Sequence, residues 1–327
     1  MTRPITISSG QWWDIPFETL CKKMSEFGYD GLELACWGDH FDVERALSDD
    51  GYLPRHRDIL EKYGLKCYAI SNHNVGQAIC DVIDEKNQFV LPAHIWGDGR
   101  EDGVRHRAAE NMQNAARAAA KFGVDVISGF TGSPIWRHLF YWRPDMAQVI
   151  DRGYQFFAEM WNPILDVFGQ EGVKFALEVH PTEIAFDIVT SQRAVEAIGG
   201  RKEFGFNFDP SHLGYQGVDY VGFVHNFGDR IYHVHMKDAH WSSTPTQTGI
   251  FGGHLPFGDP RRYWDFRSPG RGSIDFEAII RALNEVSYRG ALCVEFEDPD
   301  MDREYGAREA CEFVRQLDFT PSKQLSH

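Results

Sequence analysis

The sequence lacks the features that mark secreted and membrane-spanning proteins. Its six cysteines stand singly, without a Cys-x-x-Cys pair, and several lie in apolar runs, so we expect reduced core residues rather than disulfides or a thiolate zinc site. No apolar run approaches the roughly 20 residues that cross a bilayer. The first residues, Met-Thr-Arg-Pro-Ile-Thr-Ile, do not resemble a signal peptide, and we therefore expect a cytoplasmic protein.

Positive charge is also scarce. The chain has 33 Lys and Arg residues against 48 Asp and Glu, a net charge of −15. Because phosphate backbones are bound by basic surfaces, this balance disfavours a nucleic-acid partner. What is present is ample material for a core: 43% of the 327 residues are hydrophobic. A chain of this size can form one α/β barrel.

Short β-branched or aromatic runs alternate with longer amphipathic runs. The eight candidate strands are Ile5–Gln11, Gly31–Trp37, Lys66–His73, Asp125–Gly132, Lys174–His180, Phe204–His212, Ile231–Asp238 and Ala291–Asp298. Strict alternation implies parallel strands joined by crossover helices. Eight units match a closed (β/α)8 TIM barrel better than the five or six strands of most doubly wound sheets. We therefore predict a single α/β domain over residues 1–327.

Two connections are longer than the βα repeat needs. Residues 74–103 follow the third strand and residues 239–273 follow the seventh, without a clear pattern of regular structure. In a barrel both would rise on the C-terminal face, where catalytic groups lie. The second connection carries six large aromatic residues: Trp241, Phe251, Phe257, Tyr263, Trp264 and Phe266. This composition predicts an ordered lid or interface beside the barrel mouth.

Ionisable residues end four consecutive candidate strands. They are Glu178, Asp209, His235 and Glu295, in chain order. Carboxylates packed this closely would repel one another unless a cation neutralised them. Three oxygen donors and one imidazole suit one divalent cation, with Mn²⁺ as the first choice and Mg²⁺, Co²⁺ or Zn²⁺ as alternatives. Each residue alone could be an ordinary capped or salt-bridged strand end, but repetition in phase on four strands favours a metal site.

Other polar residues are candidates for chemistry or substrate contact at the same rim. His212 lies three residues after Asp209 and is a candidate catalytic residue, with a structural histidine as the alternative. His138 lies in an aromatic segment beyond the fourth strand and is a second candidate, although an apolar lid would have the same composition. Lys237 could orient substrate or belong to a supporting ion pair. The full set of predicted substrate contacts is Glu33, His73, His180, Lys237 and Arg271.

Several motifs together resemble those of the xylose isomerase-like, sugar phosphate isomerase/epimerase superfamily. They are Gly31-Leu-Glu33-Leu, Glu178-Val-His180-Pro181, Asp209-Pro-Ser-His212, His233-Val-His235-Met-Lys237-Asp238 and Val294-Glu295-Phe-Glu297-Asp298. The resemblance covers essentially the whole chain. It implies that Glu178, Asp209, His235 and Glu295 bind the metal, that the two glutamates carry protons, and that His212 contacts the reacting sugar oxygens.

Such a site implies a sugar isomerase or epimerase that acts on a keto-sugar or keto-glycoside. A cation bound to a ketone and its neighbouring hydroxyl acidifies the C–H bond between them. One glutamate can remove that proton while the other stands on the opposite side. Return of the proton from the opposite face gives epimerisation, and return to the adjacent carbon gives isomerisation. If a β-substituent leaves instead, the outcome is elimination.

The chain departs from ketose 3-epimerases, which it also resembles. They usually carry an arginine shortly after the strand-seven histidine, where this chain has Asp238-Ala-His240-Trp241. The long aromatic loops resemble those of the α-subunits of bacterial C-glycoside deglycosidases, which are lyases that cleave 3-keto-C-glycosides and work with a small β-subunit. A lyase with such a partner is therefore the alternative function, and a homo-oligomer is the alternative assembly.

Two further classes compete with a sugar enzyme. An endonuclease IV-like phosphodiesterase would need a histidine-rich three-metal cluster and a basic DNA-binding face, which the net charge of −15 opposes. A metal-free binding barrel is the other class, and a loss of activity on mutating Glu178 or Glu295 would eliminate it.

Overall fold

The fold was described from a computed structural model, which covers residues 2–140, 142 and 144–321. Ten strands lie in these residues: β1 (Ile5–Ser8), β2 (Gly31–Ala35), β3 (Lys66–Ser71), β4 (Val126–Gly129), β5 (Lys174–Glu178), β6 (Phe204–Phe208), β7 (Ile231–Met236), β8 (Asp238–Trp241), β9 (Trp264–Arg267) and β10 (Leu292–Val294). Strands β1 to β7 and β10 form a closed barrel, in which β10 lies between β7 and β1. All the barrel pairings are parallel. The predicted TIM barrel is confirmed.

Helices fill the connections between the barrel strands. Within the described residues the α-helices are α1 (Phe17–Phe27), α2 (Val43–Ser48), α3 (Tyr52–Lys62), α4 (His73–Gln77), α5 (Glu85–Val90), α6 (Ala93–Trp96), α7 (Glu101–Phe122), α8 (Met146–Glu171), α9 (Ile188–Ala197), α10 (Pro210–Gly214), α11 (Tyr220–Phe227), α12 (Phe276–Glu285) and α13 (Arg303–Leu317). Helices α1 and α7 end at Gly28 and Gly123, whose φ values of 92° and 87° are readily adopted only by glycine. No helix in these residues is long and apolar enough to cross a membrane.

The barrel strands are shorter than the sequence predicts, because the chain turns as soon as each strand leaves the barrel. After β6, Asp209 caps the next helix and Pro210 occupies its first turn, so α10 begins where the prediction continues the strand. After β1, a 3-10 helix spans Gly10–Trp12. The polar residues that follow the strands therefore lie on turns at the C-terminal rim.

The two long connections contain regular structure, which corrects the prediction. Residues 74–103 include helices α5 and α6 and most of α4. In the second connection, β8 and β9 form an antiparallel pair. Trp264 and Phe266 on β9 pack with Tyr215 and Ala239 in a small core of their own. These aromatic contacts explain how a segment rich in Gly, Pro and Ser is held against the barrel.

Candidate metal centre and cavity

Four ionisable side chains meet at the C-terminal rim of the barrel. Glu178 ends β5, Asp209 follows β6, His235 lies on β7 and Glu295 follows β10, and these strands are consecutive neighbours in the barrel. One ligand atom from each residue lies within 4.8 Å of the corresponding atoms of the other three. The closed barrel thus brings the four predicted ligands together, because neighbouring parallel strands end at the same level.

The two carboxylate oxygens of Asp209 have different surroundings. Its Oδ1 accepts hydrogen bonds from the backbone N–H of Ser211 at 2.8 Å and from the Ser211 hydroxyl at 2.7 Å. Its Oδ2 is buried and has no hydrogen-bond partner among the described residues. Burial raises the pKa of Asp209, against the effect of His212 and Lys237. A buried carboxylate oxygen without a partner is costly, and a bound cation would satisfy it.

His235 is surrounded by four carboxylates, three near Nδ1 and one, Glu33, at Nε2. Its Nδ1 is 3.0 Å from Glu295 Oε2, 3.6 Å from Glu178 Oε2 and 3.9 Å from Asp209 Oδ2. Ligand atoms that bind one cation through bonds of about 2.0–2.6 Å are separated from one another by distances like these three. Burial lowers the pKa of His235, but Glu33 and Glu295 outweigh it and raise the pKa well above its usual value. The donor set and its spacing fit a divalent cation.

Glu178 is surrounded by histidines. His73 Nε2 is 2.7 Å from Glu178 Oε2, and His212 Nε2 is 3.1 Å from Glu178 Oε1. Burial raises the pKa of Glu178, but hydrogen bonds from His212 and His73 have the larger opposite effect. The pKa of Glu178 therefore lies well below its usual value. The Ser71 hydroxyl lies 2.8 Å from His73 Nδ1, so the Nε2–H of His73 is free to donate to the carboxylate. The ring of His180 lies 4.2 Å from that of His212.

On the opposite side, Lys237 lies between two glutamates. Its Nζ is 3.2 Å from Glu295 Oε2 and 2.9 Å from Glu297 Oε2. Gln11 donates from Nε2 to Glu295 Oε1 at 2.9 Å. Burial raises the pKa of Glu295, but Lys237 and His235 reduce it to about 2. Glu295 is therefore ionised in the folded chain, although its side chain is only 12% exposed.

A cavity of about 870 Å³ opens onto this cluster. We call six of its ionisable lining residues the polar floor: His73, Glu178, His180, His212, Lys237 and Glu295. Its outer lining is apolar, and we call four partly exposed rings the aromatic mouth: Trp13, Phe140, Phe251 and Phe257. These rings are 63%, 67%, 63% and 51% exposed. Phe140 and Phe251, from the connections after β4 and β7, meet with their centroids 5.6 Å apart.

Three predicted site residues, Glu33, His138 and Arg271, lie outside the lining of this cavity. Glu33 is fully buried and does not line the cavity, because its carboxylate points into the barrel toward His233 and His235. His138 lies on a short 3-10 turn and lines an adjacent cavity, which shares Trp136 and Leu139 with the first. Arg271 lies outside the cavity lining, with a bidentate pairing to Glu309 at 2.6 and 2.7 Å. The planar fork of arginine matches the two oxygens of that carboxylate.

The remaining predicted contacts do line the cavity: His73, His180, His212 and Lys237. Gln11 and Glu297, which were not predicted as site residues, also line it. The sequence holds a signal for Gln11, because it is a polar residue at the end of the first candidate strand, Ile5–Gln11. Glu297 follows Glu295 by two residues, which places both on one face of an extended segment.

The fold and rim cluster define a TIM-barrel protein with a candidate metal centre. Over residues 21–317 the sequence matches the family described as xylose isomerase-like TIM barrel, and the chain belongs to that family. The rhizopine catabolism protein MocC of Rhizobium meliloti is 33% identical over 290 residues, which cover 88% of this chain and 77% of that protein.

Two further proteins show different degrees of similarity. An inosose dehydratase of Clostridium botulinum is 31% identical over 163 residues, about half of each chain at 47% and 53%. The apo structure of the 3-keto-D-glucoside 4-epimerase YcjR from E. coli has a TM-score of 0.67 and 14% identity, over 96% of this chain and 99% of that one. At that level of identity the similarity concerns the fold alone.

Proposed function

We propose that this chain is a divalent-metal-dependent enzyme that removes a proton next to the carbonyl of a keto-sugar or keto-glycoside. The observation that carries the proposal is the buried Oδ2 of Asp209, which accepts no hydrogen bond from the described residues, within a cluster of three carboxylates and one imidazole beside the cavity. Glu178, Asp209, His235 and Glu295 would hold the cation, with Mn²⁺ as the first choice. When bound, it would polarise the carbonyl and stabilise the negative charge that develops on oxygen.

The two glutamates of the polar floor are the proton carriers. Glu178 and Glu295 both line the cavity, whereas Asp209 and His235 lie behind the lining. Both glutamates have lowered pKa values, so each enters the reaction as a carboxylate able to accept a proton. The C–H bond next to the carbonyl breaks as one carboxylate takes the proton. That same group, or the glutamate opposite, then returns a proton to carbon.

The neighbouring polar groups would orient these carboxylates and the substrate. His73 and His212 each contact one oxygen of Glu178, which limits the rotation of that carboxylate. His212 also lines the cavity, so it would contact the reacting oxygens of a bound substrate. Lys237 keeps positive charge beside Glu295 and would stabilise an oxyanion in the same part of the cavity.

The size and lining of the cavity favour a glycoside over a free ketose. A volume of about 870 Å³ lies near the upper end of the usual range of about 300–1,000 Å³ for small-molecule sites. The polar floor suits the hydroxyls of a sugar ring, and the aromatic mouth suits an apolar substituent attached to it. The alternative function, a lyase that eliminates the substituent of a 3-keto-C-glycoside, uses the same first step and the same mouth.

The names of two of the similar proteins describe two different outcomes of such a reaction. One is called a 4-epimerase of a 3-keto-D-glucoside and the other a dehydratase of inosose. The first name describes inversion at a carbon next to a ketone, and the second describes elimination of water. Proton removal is the step these endings share, so it is the step to test first.

Hydrogen exchange with solvent measures proton removal independently of the ending. The chelator-treated protein would be incubated in D₂O with a 3-keto-glucoside or with a free ketose, with and without added Mn²⁺. We expect NMR to show loss of the proton next to the carbonyl only when Mn²⁺ is present, and faster with the keto-glycoside. A new epimer identifies an epimerase, and a released substituent identifies a lyase. Exchange that persists at the full rate without a cation contradicts the proposal.

A further inference from the structure

Glu33 forms a layer of contacts directly beneath the proposed cation site. Its Oε2 lies 2.6 Å from His233 Nε2 and 2.8 Å from His235 Nε2, and it accepts a weaker contact from the Cys293 thiol at 3.6 Å. All four residues are buried, and the carboxylate spans the barrel interior from β2 to β7. Glu33 therefore contacts His235 on the side of the ring opposite to the other carboxylates.

A carboxylate accepts hydrogen bonds but cannot donate them, so each ring nitrogen of His235 that faces a carboxylate carries hydrogen: Nε2 toward Glu33 at 2.8 Å and, without a cation, Nδ1 toward Glu295 Oε2 at 3.0 Å. A cation at Nδ1 would take the place of that hydrogen. The neutral ring would then keep its hydrogen on Nε2, where Glu33 accepts it. Metal ions bind the lone pair of a neutral imidazole, and outer partners of this kind commonly tune their affinity.

We propose that Glu33 is a positioning residue that fixes the tautomer and ring orientation of His235 for binding the cation through Nδ1. The inference rests on the proposed function, since it concerns the same cation site. The local backbone supports it. The pairing of β2 with β3 shifts register between Leu32 and Glu33, a feature that re-aims side chains. Gly31 permits the close approach of these strands, because a Cβ there would lie 2.2 Å from Lys66 O.

The same four residues do not form a second metal site of their own. Ligand atoms bound to one tetrahedral zinc ion at about 2.0–2.1 Å lie about 3.3 Å apart. Glu33 Oε2 is much closer to both imidazoles, at 2.6 and 2.8 Å, which are hydrogen-bond distances. His233 thus acts as a second donor that holds the carboxylate in place.

The test uses Mn²⁺ and Zn²⁺ as probes and does not depend on turnover. In Glu33→Gln, the amide can present either its C=O or its NH₂ group to His235, so the tautomer is no longer fixed. We expect the affinity for Mn²⁺, measured by calorimetry, to fall about 10- to 100-fold. In Zn²⁺-loaded protein, ¹⁵N–¹H spectra of the histidines should show His235 protonated on Nε2 in the original chain and a changed pattern in the variant.

Asp318→Asn is the matched control, because it also alters a buried carboxylate but one directly after α13, where Asp318 pairs with Arg3. It should lower the melting temperature and leave the Mn²⁺ affinity unchanged. If Glu33→Gln does not fold, Glu33→Asp retains the charge on a shorter side chain and should lower the affinity in the same direction. Unchanged Mn²⁺ affinity in a folded Glu33 variant overturns the inference alone, whereas an original chain that binds neither ion overturns the proposed function.

Discussion

The polar floor and the aromatic mouth of the cavity are built by different parts of the fold. Five of the six floor residues lie on a barrel strand or within two residues of its end, and Glu178, His212 and Lys237 are at most 3% exposed. The mouth residues lie on connections and are at least half exposed. The barrel therefore fixes the chemistry of the floor, whereas the connections determine what surrounds the mouth. A family of barrels can keep one reaction step and vary its substrates in this way.

The two regions are joined at Phe266 on β9. Lys237 Nζ lies 4.3 Å from the centroid of the Phe266 ring, and the Phe257 ring lies 5.2 Å from it. Tyr215 and Trp264 stack beside this contact with centroids 3.7 Å apart. The second long connection is thus attached to the floor through one cation–π contact and a packed aromatic group.

The largest effect is expected at the floor. Glu178→Gln keeps the size of the side chain but removes a base and one anionic ligand. We expect hydrogen exchange of a keto-glycoside in D₂O to slow by about 10²- to 10⁴-fold. Glu61→Gln, at an exposed position on α3, is the control and should exchange at the original rate. Full exchange in the Glu178 variant would remove this residue from the proposed reaction.

Shortening the mouth should have the next largest effect. Deleting Ser243–Pro256 removes Ile250 and Phe251, while Ser242 N and Tyr263 O, bonded at 2.8 Å, stay near the ends of the shortened turn. Because these two apolar side chains line the cavity, we expect kcat/KM for a keto-glycoside to fall roughly ten- to hundred-fold. The melting temperature should change little. Unaltered kinetics and unaltered molecular mass in solution would show that this segment is neither a lid over the cavity nor part of an interface.

A single ring of the mouth should contribute less. Phe251→Ala removes the contact with Phe140, and we expect KM for a keto-glycoside with an aromatic substituent to rise about five-fold, or about 1 kcal/mol. KM for a methyl keto-glycoside should rise less. Phe89→Ala, on α5 and outside the cavity lining, removes a ring that is 91% exposed and serves as the control. Equal changes for both substrates would indicate that the mouth does not distinguish substituents.

The smallest effect on turnover is expected at Glu183, which supports the wall behind the floor. Its Oε2 accepts from the backbone N–H groups of Thr131 and Gly132 at 2.8 and 2.6 Å. Burial raises its pKa to about 8, with a smaller contribution from Asp81. Glu183 therefore keeps its proton in the folded chain up to a pH of about 8, whereas the unfolded chain loses it above a pH of about 4.5. The free energy of unfolding falls as the pH rises from about 4.5 toward 8.

Glu183→Gln removes this titration while its amide oxygen can accept the same two N–H groups. We expect the stability of the variant to rise relative to the original chain by about 1 kcal/mol per pH unit between pH 5.5 and 7. Urea unfolding at several pH values measures the difference. A difference that is constant with pH would show that Glu183 is ionised throughout this range.

The sequence predicts which strand-end residues meet at the rim better than it predicts the direction of the other candidate side chains, for physical reasons. Polar residues at the ends of successive parallel strands must meet at one rim, so Glu178 and Asp209 could be placed without coordinates. The direction of Glu33 could not, because all five residues of β2 are buried and the strand shifts register beside it. Arg271 and His138 lie on irregular segments, where no periodicity determines which way a side chain points.

Diffraction from crystals soaked in Mn²⁺ would show whether this rim holds a cation. We expect one anomalous peak within about 2.0–2.6 Å of ligand atoms from Glu178, Asp209, His235 and Glu295, with Nδ1 as the donor from His235. No peak at this rim, or a peak bound by Glu33, His233 and Cys293 instead, would contradict it.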